Sequence, residues 1–269
     1  MILNKFRAHT NHYLTNAQSP KLLALSFLFL ISCNKSSNIN GNTAYVALTH
    51  VAYNQGPIGL SLNGDSLFSS PLSFGNTTGS PGNPYSTTPS RVSLMSIYQY
   101  SDTNNNRHGN AAFRQGAHYS IFFFDSLDKQ FVNLIVLQDN TTILQDTFTY
   151  FRYMNFAPGD TLWGLELINN RMDNQYAADT VIINPSAFVG LNTNPAAYPM
   201  TNTIRTGNYN VFAFPYPSNP IADTSLVVPL GPIQIDSLVN YNIYLQGVYG
   251  SDTTAANKFQ LKYVPLNLP

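Results

Sequence analysis

The sequence predicts an all-β protein made of two β-sandwich domains in tandem, and three observations carry that expectation. A stretch from Tyr45 to Asn63 recurs from Tyr150 to Ile168 without a gap, placing Ala52 on Ala157, Gly59 on Gly164, Leu60 on Leu165 and Leu62 on Leu167. The composition favours pleated strands: 17 Tyr and 17 Phe accompany many Val, Thr and Ile, side chains that suit a half-buried sheet. After residue 43 no apolar 3.6-residue period persists over three turns, while Gly, Pro, Asn and Ser punctuate short apolar runs. That pattern predicts about seven short strands per domain.

A chain of 269 residues accommodates about two domains of roughly 100–150 residues each. Charged residues are 10% of the chain, and 13 basic against 13 acidic side chains leave a net charge of zero. No basic field for nucleic acid or for steering acidic substrates arises from that balance. Hydrophobic residues at 43% and aromatics at 13% supply a core, which excludes a wholly disordered chain. Polarity comes mainly from Asn, Ser and Thr, as suits an extracytoplasmic β-protein with long turns.

Lys21 precedes an uncharged apolar run, Leu-Leu-Ala-Leu-Ser-Phe-Leu-Phe-Leu-Ile, which ends at Ser32-Cys33. A basic residue, an apolar stretch of about ten residues and a small residue before the break are the parts of a secretory signal. The run is shorter than the roughly 20 apolar residues that span a bilayer. Leu30-Ile31-Ser32-Cys33 resembles the lipobox of bacterial lipoproteins, which implies cleavage before Cys33 and a lipid on its thiol. Cys33 is the only cysteine, so no disulfide within the chain competes for it. The resemblance also implies outer-membrane residence, because Asn34 stands where an inner-membrane retention signal would place Asp. Residues 1–33 are therefore expected to be the signal region. Residues 34–42, polar but for Ile39, are expected to be a flexible tether.

The first domain is expected over residues 43–143. Val46, Leu48 and His50 share one face of its opening strand, and Tyr45, Ala47, Thr49 and Val51 the other. Ile58, Leu60 and Leu62 alternate with Gly59, Ser61 and Asn63 as a half-buried strand. Asn63-Gly64 supplies a type I′ turn, so residues 65–68 should return as a hairpin. Residues 76–90 and 101–110 read as loops and 91–100 as a strand, while 119–125 and 131–138 are apolar enough for central strands. The second domain, 146–269, repeats the plan with a longer Pro/Asn-rich stretch at 184–202. Strands are expected at 209–214, 225–228, 241–246 and 259–264. Tyr119-Ser-Ile-Phe in the first domain corresponds to Tyr241-Asn-Ile-Tyr in the second.

These units resemble the DUF4397 domain of bacterial surface and secreted proteins, whose function is not established. The opening element is carried by Thr49-His50-Val51-Ala52 and Ile58-Gly-Leu-Ser-Leu-Asn-Gly64, the later ones by Gly116-Ala-His-Tyr119 and Leu137-Gln-Asp139-Asn140. Asn155-Phe-Ala-Pro158, Thr206-Gly-Asn-Tyr209 and Asn240-Tyr241 fill the same places in the second copy. The resemblance covers nearly all of residues 43–269 and implies two tandem β-sandwiches of the immunoglobulin or transthyretin type. Asn155 replaces the opening His, and the first loop lacks the family's Asp.

The candidate chemistry is sparse. His50 precedes the loop 52–57, where an imidazole can donate to loop carbonyls, and Asn155 can do so through its amide. A metal ligand or general base would not be exchanged for Asn in the paired domain, so both are expected to tether loops. His108 and His118 lack metal-ligand spacing, and His9 and His12 precede the signal. Asp102, Asn104 and Asn106 alternate as in a calcium loop, but Arg107 and Phe113 stand where Gly and Glu are needed. Asp125, Asp128, Asp139 and Asp223 read as ordinary turn or strand-end acids. Gly59-Leu-Ser61-Leu-Asn63 lacks the second glycine of a nucleophile elbow, and Glu166 is the only Glu. No enzyme activity, cofactor or metal is expected. What remains is a binding module held to the membrane by its N-terminal lipid, with an envelope protein or a glycan as partner and no nucleic acid. Loops at the sandwich ends are the expected contact, through Tyr53, Tyr85, Tyr198 and Tyr216.

Overall fold

The structure is a computed structural model and describes residues 42–80, 83–100, 107–125, 132–144, 147–169, 180–217, 227–250 and 258–267. Cys33, the signal region and the tether as far as residue 41 lie outside them, as do Asp102, Asn104, Asn106, Asp128 and Asp223.

The described chain is all-β, in four four-stranded sheets. The first half contributes β1 (Thr43–His50), β2 (Ile58–Leu62), β3 (Asp65–Ser66), β4 (Ser86–Pro89), β5 (Val92–Gln99), β6 (Arg107–Ala112), β7 (His118–Asp125) and β8 (Val132–Gln138). The second contributes β9 (Phe148–Asn155), β10 (Trp163–Asn169), β11 (Thr180–Ser186), β12 (Asn202–Arg205), β13 (Gly207–Pro215), β14 (Val228–Ile235), β15 (Asn240–Gln246) and β16 (Gln260–Leu266). The only helical elements described are two 3-10 turns, Val189–Leu191 and Pro195–Ala197, and no described helix is long and apolar enough to cross a membrane.

Both halves are wired alike. Sheet orders β4-β1-β7-β8 and β3-β2-β5-β6 are matched by β12-β9-β15-β16 and β11-β10-β13-β14. The β1–β7 and β9–β15 pairs are parallel, and the other ladders are antiparallel. The aligned glycines do the same work: a Cβ on Gly59 would lie 2.5 Å from the Tyr98 ring, and one on Gly164 2.4 Å from the Phe214 ring. Each glycine thus seats an aromatic ring from the facing strand, Gly59 opposite Tyr98 and Gly164 opposite Phe214. The expected type I′ turn is present, with φ of 53° at Asn63 and 92° at Gly64. Its returning strand is only β3, because the chain then leaves the sheet.

Each half has a sandwich-like core. Val46, Leu48, Leu60, Ile97, Ile121 and Phe123 pack in the first, and Phe151, Leu165, Val211, Ile233, Ile243 and Leu245 in the second. A third apolar layer joins the halves: Phe122, Phe124, Ile135 and Leu137 pack against Met154, Phe156, Phe188, Val189, Tyr198 and Tyr244. Every residue of β7 and of β15 is therefore buried, the polar Ser120, Asn240 and Asn242 included. The sheets that carry β1 and β9 thus meet back to back. Residues 42–269 form one compact unit.

The halves pack with equivalent ends together. Tyr45 and Tyr150, which open the repeated stretch, join one cluster with Ala47, Met200 and Leu266. Farther along, Phe122 meets its counterpart Tyr244 edge-on, with ring centroids 5.6 Å apart.

Four strands depart from the expectation. β4 lies within 76–90, β6 begins within 101–110, β11 occupies the start of 184–202 and β12 begins at its end. The strand expected at 225–228 begins instead at Val228 as β14. β4, β6, β11 and β12 are each the edge strand of a sheet and, apart from Ile182 of β11, expose few large apolar side chains, so their apolar alternation is weak.

Candidate functional site

The aligned residues His50 and Asn155 hold the same backbone atom. The Ala52 N–H donates to His50 Nδ1 at 3.2 Å, and the Ala157 N–H donates to Asn155 Oδ1 at 3.0 Å. His50 Nε2 lies 3.0 Å from the Gly56 carbonyl, to which it donates in the tautomer that leaves Nδ1 free to accept, and Asn155 Nδ2 donates to the Ser186 carbonyl at 3.0 Å. Neither side chain is exposed. Burial pushes the His50 imidazole down to about 4, opposed by its bond to Gly56, so it is neutral at physiological pH.

The four tyrosines have different fates. Tyr216 is 61% exposed, its N–H donating to the Leu162 carbonyl at 2.8 Å. Tyr53 is half-buried. Tyr85 and Tyr198 are buried, at 9% and 7% exposure, which corrects their placement on exposed loops. The reason is the layer between the halves. The segment from β3 to β4 reaches the second half, where Thr77 meets the Tyr244 hydroxyl. The segment from β11 to β12 lays Phe188, Val189 and Tyr198 on Ile135 and Leu137. Both long loops are spent on joining the halves. The third, 101–110, becomes β6 from Arg107 onward, and its earlier part lies outside the described residues.

Tyr85 enters a buried polar cluster that sequence reasoning missed. Arg152 Nη1 donates to Asp139 Oδ1 at 3.0 Å and to Asn242 Oδ1 at 3.3 Å, and Nη2 donates to the Gln138 carbonyl at 2.6 Å. Asp139 Oδ2 accepts from the Tyr85 hydroxyl at 3.0 Å and from Ser120 Oγ at 2.7 Å. Asn242 Nδ2 donates to Ser120 Oγ at 2.8 Å. The side chains of Arg152 and Asp139 are 1% and 0% exposed. Burial lowers the Arg152 pKa and Asp139 opposes that shift; the guanidinium stays charged, its ordinary value being far above neutrality. A buried ion pair is a weak source of net stability but a strong constraint on geometry, and this one is closed to any substrate. The signal for it was an arginine inside an otherwise apolar strand, Phe151-Arg152-Tyr153.

A second feature missed by sequence reasoning is an aromatic groove on the second half. Trp163 is 3% exposed, and its ring lies 4.8 Å from that of Tyr249 and 4.8 Å from that of Phe259. Tyr249 is 57% exposed. It walls a groove of about 470 Å³ with Val228, Leu230, Lys258, Phe259 and Leu261. The groove opens between β14 and β16, each the last strand of its sheet. Tyr249 sits in a Gly-flanked turn, which gave no strand pattern to mark it.

Among the described residues no group of three His, Cys, Asp or Glu is placed to hold a metal ion. A scan against protein-family models finds no match, and a search of curated proteins finds none.

Proposed function

We propose that this chain is a non-catalytic binding module, anchored through a lipid on Cys33 to the bacterial outer membrane. It would belong with two-copy DUF4397 lipoproteins, each copy an immunoglobulin- or transthyretin-like β-sandwich. The observation that supports it best is the fate of the reactive groups. The Arg152–Asp139 pair is sealed in the layer between the halves, and His50 holds a loop. The signal and lipobox residues support the address. A second reading, an accessory lipoprotein that captures glycans, is favoured by the exposed ring of Tyr249 beside a groove.

Anchoring is tested by fractionation and mass spectrometry. Wild-type protein should partition with the outer membrane and carry acyl chains at Cys33, and Cys33→Ser should leave the membrane fraction or stay unprocessed. A wild-type chain without acyl groups ends the lipoprotein reading.

A further inference from the structure

We propose that the groove between β14 and β16 is a saccharide-binding site in which a sugar ring stacks on Tyr249; this deepens the glycan reading given above. Three observations meet there. The Tyr249 ring is more than half exposed yet held against Trp163 and Phe259 at centroid distances of 4.8 and 5.6 Å, so it offers a flat face already fixed in place. A ring fixed before binding loses little freedom on complex formation. The groove's 470 Å³ falls among volumes typical of small-molecule sites, about 300–1,000 Å³. Its rim mixes donors and acceptors with apolar wall: Lys258 and Gln260 stand beside Phe259 and Leu261, and among the described residues no strand pairs with the outer backbone edge of β14 or β16. A sugar matches that mixture, since its C–H face suits an aromatic ring and its hydroxyls both donate and accept.

An extended peptide adding a strand fits less well. Pro229 and Pro232 interrupt the N–H row of β14, and Pro265 that of β16, the means by which sheet edges resist pairing. The chain's zero net charge gives no long-range preference for a charged polymer.

The single tryptophan makes the site self-reporting, because Trp163 lies behind Tyr249. The full chain, solubilised in detergent, is titrated with a panel of neutral and uronic-acid hexasaccharides while Trp163 emission is followed. At least one sugar should shift the emission saturably. Tyr249→Ala should weaken that sugar about tenfold, whereas Tyr249→Phe should bind within about threefold of wild type. Tyr100→Ala, at an exposed tyrosine on the first half, should leave binding unchanged. A sugar that binds equally well to Tyr249→Ala overturns the groove while leaving the glycan reading intact. If no sugar on the panel binds, or if only an extended peptide shifts Trp163, both the site and the glycan reading are overturned and the anchored binding module still stands.

Discussion

Asn242 donates to Ser120 at 2.8 Å across the layer between the halves, and these two residues hold the same position on equivalent strands. Phe122 and Tyr244, one inward-to-outward alternation farther on, also meet. A duplicated unit has therefore been packed on its own copy, with the polar pair beside the buried Arg152–Asp139 contact and the aromatic pair in the apolar layer.

The buried ion pair predicts strong non-additivity. Arg152→Met leaves Asp139 buried without its cation and should destabilise by about 3–5 kcal/mol in chemical denaturation. Arg152→Met combined with Asp139→Asn should lose less than the sum of the two single changes. Additive losses would mean that the two groups are not coupled.

The shared layer predicts that the halves need each other. Residues 43–143 and 146–269, produced separately, would expose the aromatic faces of β7 and β15. Mixed in equal amounts, they should form a one-to-one complex by size-exclusion chromatography and gain thermal stability. Two stable monomers that ignore each other would contradict the importance of the layer.

His50 predicts acid sensitivity. Below about pH 6.5 the unfolded chain protonates this imidazole, while the folded chain resists until about pH 4. Stability should therefore fall as pH drops through that window, by up to roughly 3 kcal/mol from this residue. Burial also lowers the His118 pKa, opposed by Asp139, so a smaller slope of the same sign should persist in His50→Asn. An unchanged pH profile in that variant would refute the assignment.

The glycine seats predict unequal damage. Gly59→Ala meets the ring of half-buried Tyr98, whereas Gly164→Ala meets buried Phe214 and also the Ile183 carbonyl at 2.9 Å. Both should destabilise by about 1–3 kcal/mol, with Gly164→Ala the worse because backbone cannot rotate aside. Thermal melts of the two variants check the order.

Much of this architecture was legible in the sequence for a physical reason. Leu60 and Leu165 lie on strands whose inner faces pack a core, and such strands advertise themselves by alternation. The Asn63-Gly64 turn needs positive φ at both residues, which only a few side chains tolerate. Edge strands such as β4 and β6 were missed because neighbouring strands, not their own polar side chains, specify their pairing. Tyr85 and Tyr198 misled because tyrosines among prolines look like loop residues; nothing local says that a loop will be roofed by another half of the molecule. β7 held the clue, for Ser120, Phe122 and Phe124 on its second face had no use in a one-sided sandwich.

Because equivalent ends of the two halves lie together, the molecule has a near and a far pole. β1 starts at the pole where Tyr45 and Tyr150 cluster, whereas Tyr249 follows the end of β15 at the opposite one. Strands of eight residues, such as β1 and β9, separate the poles by about 25 Å. The aromatic groove therefore opens at the pole opposite the one where the described chain enters β1, so a ligand held there would lie a full strand length from residue 42.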